Sequence, residues 1–235
     1  MEAHTGVLDF IYPPVCPFCG EISYEGICSE CKKKIIYIED PKCIRCGKPL
    51  QDEKEELCRD CSKVKNNPIE AGRSLWVHKK PVSSAIYDFK YKNKRYYGKI
   101  FAREMVRKYK NLIYQWDIDE IVPVPVHNKR LKKRGYNQAA IIAEEVGKLM
   151  GIPVYEDMII RIKNTKPQKK LNDEERIKNI KGAFVIKNEY KPGKNVLIID
   201  DIYTTGTTIR QIAQIMKASG AEKLFFLTIS IGQGI

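Results

Sequence analysis

Residues 196–208 read VLIIDDIYTTGTT, and the fold follows from this stretch. Its four apolar residues, three of them β-branched, are too few for a free-standing helix and are typical of a strand buried on both faces of a parallel sheet. Asp200 and Asp201 come next, at the carboxyl end of that strand, where open α/β sheets bind ligands. The TTGTT loop then leads into an apolar-periodic helix that ends before Gly220. The sequence therefore predicts an α/β fold with a ligand site at this strand end.

The TTGTT loop has the composition of a phosphate site. Threonine hydroxyls and the free N–H groups at a helix start offer several donors to one phosphate, and Gly206 lets the backbone approach it. An ordinary N-cap would explain the loop alone, and the two acids could simply cap their own turn. Together, however, the acids and the loop favour a phosphorylated sugar whose hydroxyls face the acids. The stretch is not a Walker A loop, because the Gly-Lys-Thr ending is missing.

This stretch resembles the phosphoribosyl-pyrophosphate (PRPP) signature of type I phosphoribosyltransferases. The resemblance implies that Asp200 and Asp201 bind the ribose hydroxyls, with Mg2+ accompanying PRPP. It also assigns the 5-phosphate to a set of loop residues, namely Thr204, Thr205, Gly206, Thr207 and Thr208. Purine-salvage members often carry, at the position of Thr204, an Asp that acts as the base toward the purine ring. The threonine here therefore argues against a hypoxanthine-type or guanine-type reaction.

The charge of the chain is unevenly distributed. There are 42 basic and 29 acidic side chains in 235 residues, a formal net charge of +13. Residues 1–75 hold 11 basic and 13 acidic side chains, so residues 76–235 carry the whole excess and are the part suited to a polyanion. No secretory leader is evident, and no apolar run approaches the roughly 18 residues that span a membrane. We expect a cytoplasmic protein without a transmembrane segment.

The cysteines form four CxxC pairs within residues 16–61. Cytosolic thiols stay reduced, and each CxxC can place two thiolates on one tetrahedral ion, so zinc is favoured over disulfides. A segment of this size with few large apolar side chains also needs a metal to fold. We expect two structural zinc ions held by Cys16, Cys19, Cys28, Cys31, Cys43, Cys46, Cys58 and Cys61.

Sequential and interleaved pairing of these cysteines would both give four ligands per ion. The repeat CPFCG…CSEC, then CIRCG…CRDC, favours two successive ribbons. The first ribbon would use Cys16, Cys19, Cys28 and Cys31, and the second ribbon would use Cys43, Cys46, Cys58 and Cys61. Four thiolates leave no open coordination position, so a catalytic metal is not expected.

A basic stretch between Lys79 and Lys110 contains eleven basic residues against two acids, with Tyr87, Tyr91 and Tyr96 interleaved. Solvated helix faces explain most such runs. The alternative is a surface that follows the phosphates of a single strand and stacks its bases. The candidate DNA-binding residues, including two from a second basic stretch, are Lys92, Lys94, Arg95, Lys99, Lys132 and Lys133.

That second basic stretch follows a predicted strand at residues 120–126, EIVPVPV. The segment HNKRLKKRGYNQ lies where a phosphoribosyltransferase fold has its pyrophosphate loop, and we assign Lys129, Arg130 and Arg134 to the diphosphate. His127 is a weak catalytic candidate, more often a structural residue at such a position. Residues 161–184 are polar and basic and are flanked by the apolar stretches 158–162 and 183–186, which predicts two hairpin strands carrying a long insert. Such an insert would act as a hood over the site, and the alternative is a mobile surface hairpin.

Taken together, the four CxxC pairs, VPVP with KRLKKRGYNQ, an RxKxTxxQ pattern and DDIYTTGTT resemble the ComF family over about residues 8–231. The resemblance implies a double zinc-ribbon domain at 1–68 and a phosphoribosyltransferase-like domain with a mainly parallel sheet at 69–235. It further implies a role in natural competence, in which the protein binds PRPP and single-stranded DNA during DNA uptake. The implied partner is the competence machinery at the cytoplasmic face of the membrane. The alternative is an active phosphoribosyltransferase that transfers ribose 5-phosphate to an unidentified acceptor.

Overall fold

The computed structural model describes residues 13–164, 175, 179–187 and 189–232. In chain order the elements are α1 (Ser29–Lys34), α2 (Arg59–Ser62), β1 (Ile69–Val77), α3 (Val82–Tyr91), α4 (Tyr96–Gln115), β2 (Glu120–Pro123), α5 (Asn128–Arg134), α6 (Gln138–Met150), β3 (Ile159–Arg161), β4 (Phe184–Ile186), β5 (Asn195–Tyr203), α7 (Thr207–Ala218) and β6 (Lys223–Ile231). No helix in these ranges is both long and apolar enough to cross a membrane.

The main sheet has four strands in the order β1-β6-β5-β2, and every neighbouring pair is parallel. Parallel neighbours require crossover connections, and α7 supplies the one between β5 and β6. The strand predicted from the apolar run at 196–199 is β5, and it lies inside the sheet between β6 and β2. The predicted α/β class with a mainly parallel sheet is confirmed.

Both faces of the sheet are covered, which explains the continuous apolar runs in its central strands. Successive residues of β5 alternate between two buried cores: Leu197 and Ile199 face one, and Val196 and Ile198 face the other. Helices α3, α4 and α6 contribute to the first core, and α7 contributes to the second. The first core includes Val82, Ile86 and Phe89 of α3 and Tyr97, Phe101 and Met105 of α4, each set recurring at helical spacing.

The segment predicted as a loop after β2 is instead a helix, α5. The strand itself is shorter than predicted, because it ends at Pro123. His127 caps the helix start by accepting the Lys129 N–H at 3.1 Å, and Gly135 ends the helix in the left-handed region at φ 78°. The loop prediction was wrong, whereas the structural role of His127 is confirmed.

Two short antiparallel strands, β3 and β4, form a separate hairpin. The sequence predicted these strands on either side of the polar insert, and both are present. The hood predicted between them lies mostly at residues 165–174 and 176–178, which are outside the described residues.

The two ribbons lie against opposite faces of the sheet. Cys16 and Cys31 belong to the first core, whereas all four cysteines of the second ribbon belong to the other core. Two parts of the cysteine segment contact the outer edge of β1. The Val77 N–H donates at 3.1 Å to the carbonyl of Ile36, between the ribbons, and the Gly72 N–H donates at 2.6 Å to the carbonyl of Arg45, within the second ribbon. The cysteine segment therefore also caps an otherwise open sheet edge.

Candidate functional site

Two four-cysteine clusters are preformed in the N-terminal segment. The sulfur atoms of Cys16, Cys19, Cys28 and Cys31 all lie within 4.8 Å of one another, and so do those of Cys43, Cys46, Cys58 and Cys61. The sequential pairing favoured by the repeat is thus confirmed, and the interleaved pairing is excluded.

Sulfur separations in both clusters fit zinc. The Sγ atoms are 3.7 Å apart for Cys19 and Cys28 and 3.6 Å apart for Cys46 and Cys58. A tetrahedron with Zn–S bonds of about 2.3 Å has an edge of about 3.8 Å, whereas a disulfide would need about 2.0 Å. All eight cysteines are free thiols. The donor set is that of two closed, structural zinc sites.

A cavity of about 440 Å3, here called the β5 cavity, opens where β1, β2 and β5 end. Asp200, Asp201, Thr204 and Thr208 line it from β5 and the following loop, and Val124 to Val126 line it after β2. Helix α3 forms another wall. This is the edge at which parallel sheets present ligand sites, because the helix starts and loops meet there.

The two acids lie inside β5, which continues past them to Tyr203. The Asp201 carboxylate forms an ion pair with Lys90 of α3, with 2.7 Å between Oδ2 and Nζ, and both side chains are less than one-fifth exposed. The Asp201 N–H donates to Asp200 Oδ1 at 2.8 Å. Burial, and then the neighbouring Asp201 charge, raises the pKa of Asp200 to about 7. The cavity therefore holds its two acids at an electrostatic cost that a cation or hydroxyl donors would relieve.

The TTGTT loop wraps around the start of α7. Gly206 precedes the helix with φ 74°, and a Cβ there would lie 2.2 Å from the Tyr203 hydroxyl, so only glycine fits. The Thr205 and Thr207 hydroxyls are 2.9 Å apart, and Arg210 donates to the Thr205 carbonyl at 2.6 Å. These contacts fix the loop before any ligand arrives.

Three arginines from two elements line the same cavity: Arg130 and Arg134 of α5 and Arg161 of β3. Burial, followed by repulsion from Arg130, lowers the pKa of Arg161 to about 10. Arg134 donates to Gln138 Oε1 at 3.0 Å and to the Tyr91 hydroxyl at 3.2 Å. Of the three residues assigned to the diphosphate, Lys129 is exposed and does not line the cavity.

Sequence reasoning missed two cavity residues, Lys90 and Arg161. Lys90 was counted only within the basic stretch. A signal was present, since Lys90 lies four residues after the buried Ile86 and so shares its side of α3. Arg161 was placed only at the start of the insert, and nothing in its local sequence indicated that β3 would bring it to the acids.

The residues predicted to bind DNA lie beside the β5 cavity, not in it. Arg95 links the two basic stretches: it donates to the Gly135 carbonyl at 3.0 Å and lies over the Tyr136 ring. Lys92 forms an ion pair with Asp88 at 3.0 Å. Five of the six residues are exposed to solvent, and Lys94 is half-buried.

The tyrosines of the basic stretch differ in exposure. Tyr87 and Tyr91 are about half exposed, line the β5 cavity and pair with ring centroids 4.8 Å apart. Tyr96, which the sequence also offered for stacking, is not available to a base. Its hydroxyl is buried and its ring packs edge-on against Tyr97. Of the three tyrosines, therefore, only Tyr87 and Tyr91 present exposed rings.

Two family models match different parts of the chain. The family model "Double zinc ribbon domain" matches residues 7–62, and "Phosphoribosyl transferase domain" matches residues 103–230. The chain is 33% identical over 211 residues to "Competence protein F" of Haemophilus influenzae, covering 86% of this chain and 89% of that protein. It is 26% identical over 201 residues to "Competence protein ComFC" of Bacillus subtilis, covering 83% and 80%. It is also 26% identical over 215 residues to "DNA utilization protein YhgH" of Salmonella typhi, covering 89% and 93%.

Proposed function

The chain belongs to the competence protein F family and contains a phosphoribosyl transferase domain, and from this premise we propose that it binds PRPP with Mg2+ in the β5 cavity and single-stranded DNA beside that cavity. Its proposed role is in natural transformation, where it receives transforming DNA in the cytoplasm. The competence machinery at the inner face of the membrane is the proposed partner. The names of the relatives, two competence proteins and a DNA utilization protein, support this role.

One observation carries the PRPP proposal: the acid pair, Thr204 and Thr208 of the TTGTT loop, and three arginines all line one cavity. The parts of PRPP make three different demands. Its ribose hydroxyls need acceptors, which Asp200 and Asp201 provide. Its 5-phosphate needs several N–H and hydroxyl donors, which residues 204–208 provide at the start of α7. Its diphosphate needs cations, and Arg130 and Arg134 supply planar donors suited to phosphate oxygens.

Magnesium would bind with the diphosphate and neutralise part of its charge. The acid pair would serve both the hydroxyls and this ion. Lys90 forms an ion pair with Asp201, so Lys90 must share that carboxylate when PRPP enters. This arrangement keeps the cavity from carrying two uncompensated acids between ligands.

The DNA proposal rests on the position of the exposed basic and aromatic side chains. Arg95 connects the end of α5 to the start of α4, so Lys94, Lys99, Lys132 and Lys133 belong to neighbouring elements. Tyr87 and Tyr91 lie at the rim of the β5 cavity, and an exposed aromatic ring contributes about 1 to 3 kcal/mol per stacked base. A strand bound there would pass the mouth of the cavity.

Calorimetry with PRPP tests the first part of the proposal. The parent chain should bind PRPP only with Mg2+, and Asp201→Asn should weaken binding by about 1 to 3 kcal/mol, the range for hydrogen bonds to a charged group. Asp157→Asn is a matched control, because that carboxylate is exposed. Equal PRPP affinity in the parent and in Asp201→Asn would show that the ligand binds elsewhere.

The second candidate function is phosphoribosyl transfer itself, favoured by the complete acid pair and loop within the matched domain. In that reaction the bond between the anomeric carbon and the diphosphate oxygen breaks. An acceptor forms the new bond at that carbon and gives up its proton, and Arg130 and Arg134 stabilise the departing pyrophosphate. Pyrophosphate release against a panel of nucleobases and DNA strands distinguishes this reaction from binding alone. Release that depends on one acceptor would make the chain an enzyme.

A further inference from the structure

The second ribbon contacts the phosphate loop through a buried lysine. Lys48 lies two residues after Cys46, and its side chain is only 6% exposed. Its ammonium group donates to the Asp60 carboxylate and, at 3.4 Å, to the Thr204 carbonyl. Asp60 in turn directly precedes Cys61. A buried ammonium group needs both acceptors, because an unpaired charge in this environment is strongly destabilising.

Tyr203 makes a second connection between the same two parts. Its ring is buried, belongs to the same core as the four cysteines of the second ribbon, and stacks on Phe226 with centroids 4.6 Å apart and planes 3° apart. Its hydroxyl occupies the space that a Cβ on Gly206 would need. The loop therefore packs on a tyrosine that itself packs in the core of the second ribbon.

The first ribbon is placed differently. Its Cys16 and Cys31 share a core with Trp76 and Phe101, on the other face of the sheet. Phe18, between two of its cysteines, packs edge-on against Trp76 with centroids 5.6 Å apart. Two chemically equivalent four-cysteine sites thus have different neighbours, and the second is the one joined to residues 204–208.

We propose that the second ribbon is a built-in support for the phosphate loop, with Lys48 as its positioning residue. Zinc in the second site and phosphate on the loop then stabilise each other, because each fixes the segment that the other requires. Such coupling is reciprocal: an ion that strengthens phosphate binding is itself held more tightly when phosphate is bound. The inference rests on the proposed function of the loop, and it adds regulation of PRPP binding by the metal state of one ribbon.

Lys48→Met tests the support directly. We expect PRPP affinity to fall about tenfold, within the usual range of coupling between sites, while elemental analysis still finds two zinc ions per chain. Lys48→Arg retains the charge and should recover most of the affinity. The matched control is Lys33→Met, which removes a lysine of the first ribbon whose partner is the exposed Glu30. Unchanged affinity in Lys48→Met would overturn the inference.

The reciprocal effect can be measured on the unmodified chain, so it does not depend on the folding of a variant. Zinc transfer to a chromogenic chelator should occur in two phases, and PRPP with Mg2+ should slow one of them at least fivefold. The slowed phase should persist in Cys19→Ser, which disables the first site, and disappear in Cys58→Ser, which disables the second.

The two proposals fail in different ways. If the unmodified chain binds no PRPP in calorimetry, the proposed function and this inference both fall. If it binds PRPP but the ligand slows neither phase, or slows the phase of the first ribbon, only the inference is wrong.

Discussion

Asp200 is a carboxylate that the fold holds in an unfavourable environment. It follows four fully buried residues of β5, and the adjacent Asp201 adds a second negative charge. Sites that bind cations or hydroxyl donors tolerate this cost because ligand binding relieves it. Lys90 stabilises Asp201 and leaves Asp200 as the acid that changes protonation near neutral pH.

The raised pKa of Asp200 predicts a pH-dependent effect of Asp200→Asn. A pKa near 7 in the folded chain against 3.8 in the unfolded chain means that the folded state binds the proton more tightly. The free energy of unfolding contributed by this group therefore falls as pH rises from about 4 to about 7, by up to about 4 kcal/mol. Relative to the parent, Asp200→Asn should gain thermal stability between pH 5 and pH 8.

Melting curves of the parent and of Asp200→Asn at pH 5 and pH 8 measure this gain. The difference between the two pH values cancels any effect of the asparagine that does not depend on pH. Asp157→Asn, at an exposed position, should show the same difference from the parent at pH 5 and pH 8. A gain for Asp200→Asn that did not change with pH would contradict the assigned cause.

Gly206 allows a second comparison between single residues. Gly206 and Gly151 both have positive φ angles, 74° and 71°, but their surroundings differ. A Cβ added at Gly206 would lie 2.2 Å from the Tyr203 hydroxyl, whereas a Cβ added at Gly151 would have no neighbour within 4 Å. Both alanine variants should lose about 1 kcal/mol or more through backbone strain. Only Gly206→Ala should weaken PRPP binding, by at least tenfold in calorimetry. Equal losses of affinity would indicate a general effect of strain.

Helix α5 changes how the second basic stretch must be understood. As a flexible loop, all its basic side chains could have reached a diphosphate. As a helix capped by His127 and Gly135, it directs Arg130 and Arg134 into the β5 cavity and leaves Lys129, Lys132 and Lys133 outside. The spacing of the two arginines, four residues apart, places them on one side of the helix. In the proposed function, one side of this short helix contacts PRPP and the other contacts DNA.

This division predicts separable effects on DNA and PRPP. We expect a variant with alanine at four positions, Lys94, Lys99, Lys132 and Lys133, to lose most single-stranded DNA binding. If the four lysines neutralise four phosphates, a plot of log affinity against log salt concentration should have a slope near −3 for the parent. Each lost contact should reduce the magnitude of that slope by about 0.7, so the slope of the variant should approach zero. Lys92 and Arg95 are left in place because they make structural contacts. PRPP affinity should be unchanged.

The matched control replaces four exposed lysines of the cysteine segment, Lys33, Lys34, Lys63 and Lys65. It removes the same charge from a segment that is slightly acidic overall, so DNA binding should persist with a similar slope. If both variants bind DNA like the parent, the basic stretch is only a solvated face. Phosphoribosyl transfer would then be the better-supported function.

The whole chain is built with a zinc ribbon against each face of one sheet. Cysteines occur in both buried cores, and for that reason the ribbons and the sheet should not unfold independently. A metal that closes a ribbon also completes the core beneath it, and its binding energy contributes to the stability of the sheet.

Elemental analysis should find two zinc ions per chain, and Cys16→Ser and Cys43→Ser should each reduce this to one. Because both cores contain cysteines, chelation should shift one cooperative melting transition to lower temperature. A chelated chain whose main transition kept its melting temperature would show that the ribbons are independent of the sheet. A zinc content of one or zero in the parent would contradict the two-site reading.

Local patterns in the chain were enough to specify the zinc sites, the central strand and the loop after it. Their information lies in short patterns: two residues between cysteines, a continuous run of four apolar residues in β5, and a glycine with threonines before a helix. Such features depend on neighbours a few residues apart. For the same reason the sequence predicted Asp200, Asp201 and the threonine loop as one site before any fold was known.

Contacts between distant residues came only from the folded arrangement. Lys90 pairs with Asp201, and Arg161 lines the same cavity. Lys48 contacts Thr204, which lies 156 positions later in the chain. These pairs exist because the sheet order β1-β6-β5-β2 does not follow chain order, so strands and ribbons that are far apart in sequence become neighbours. No local propensity records that order. It is set by how the two apolar faces of the sheet are buried, and burial is a property of the complete chain.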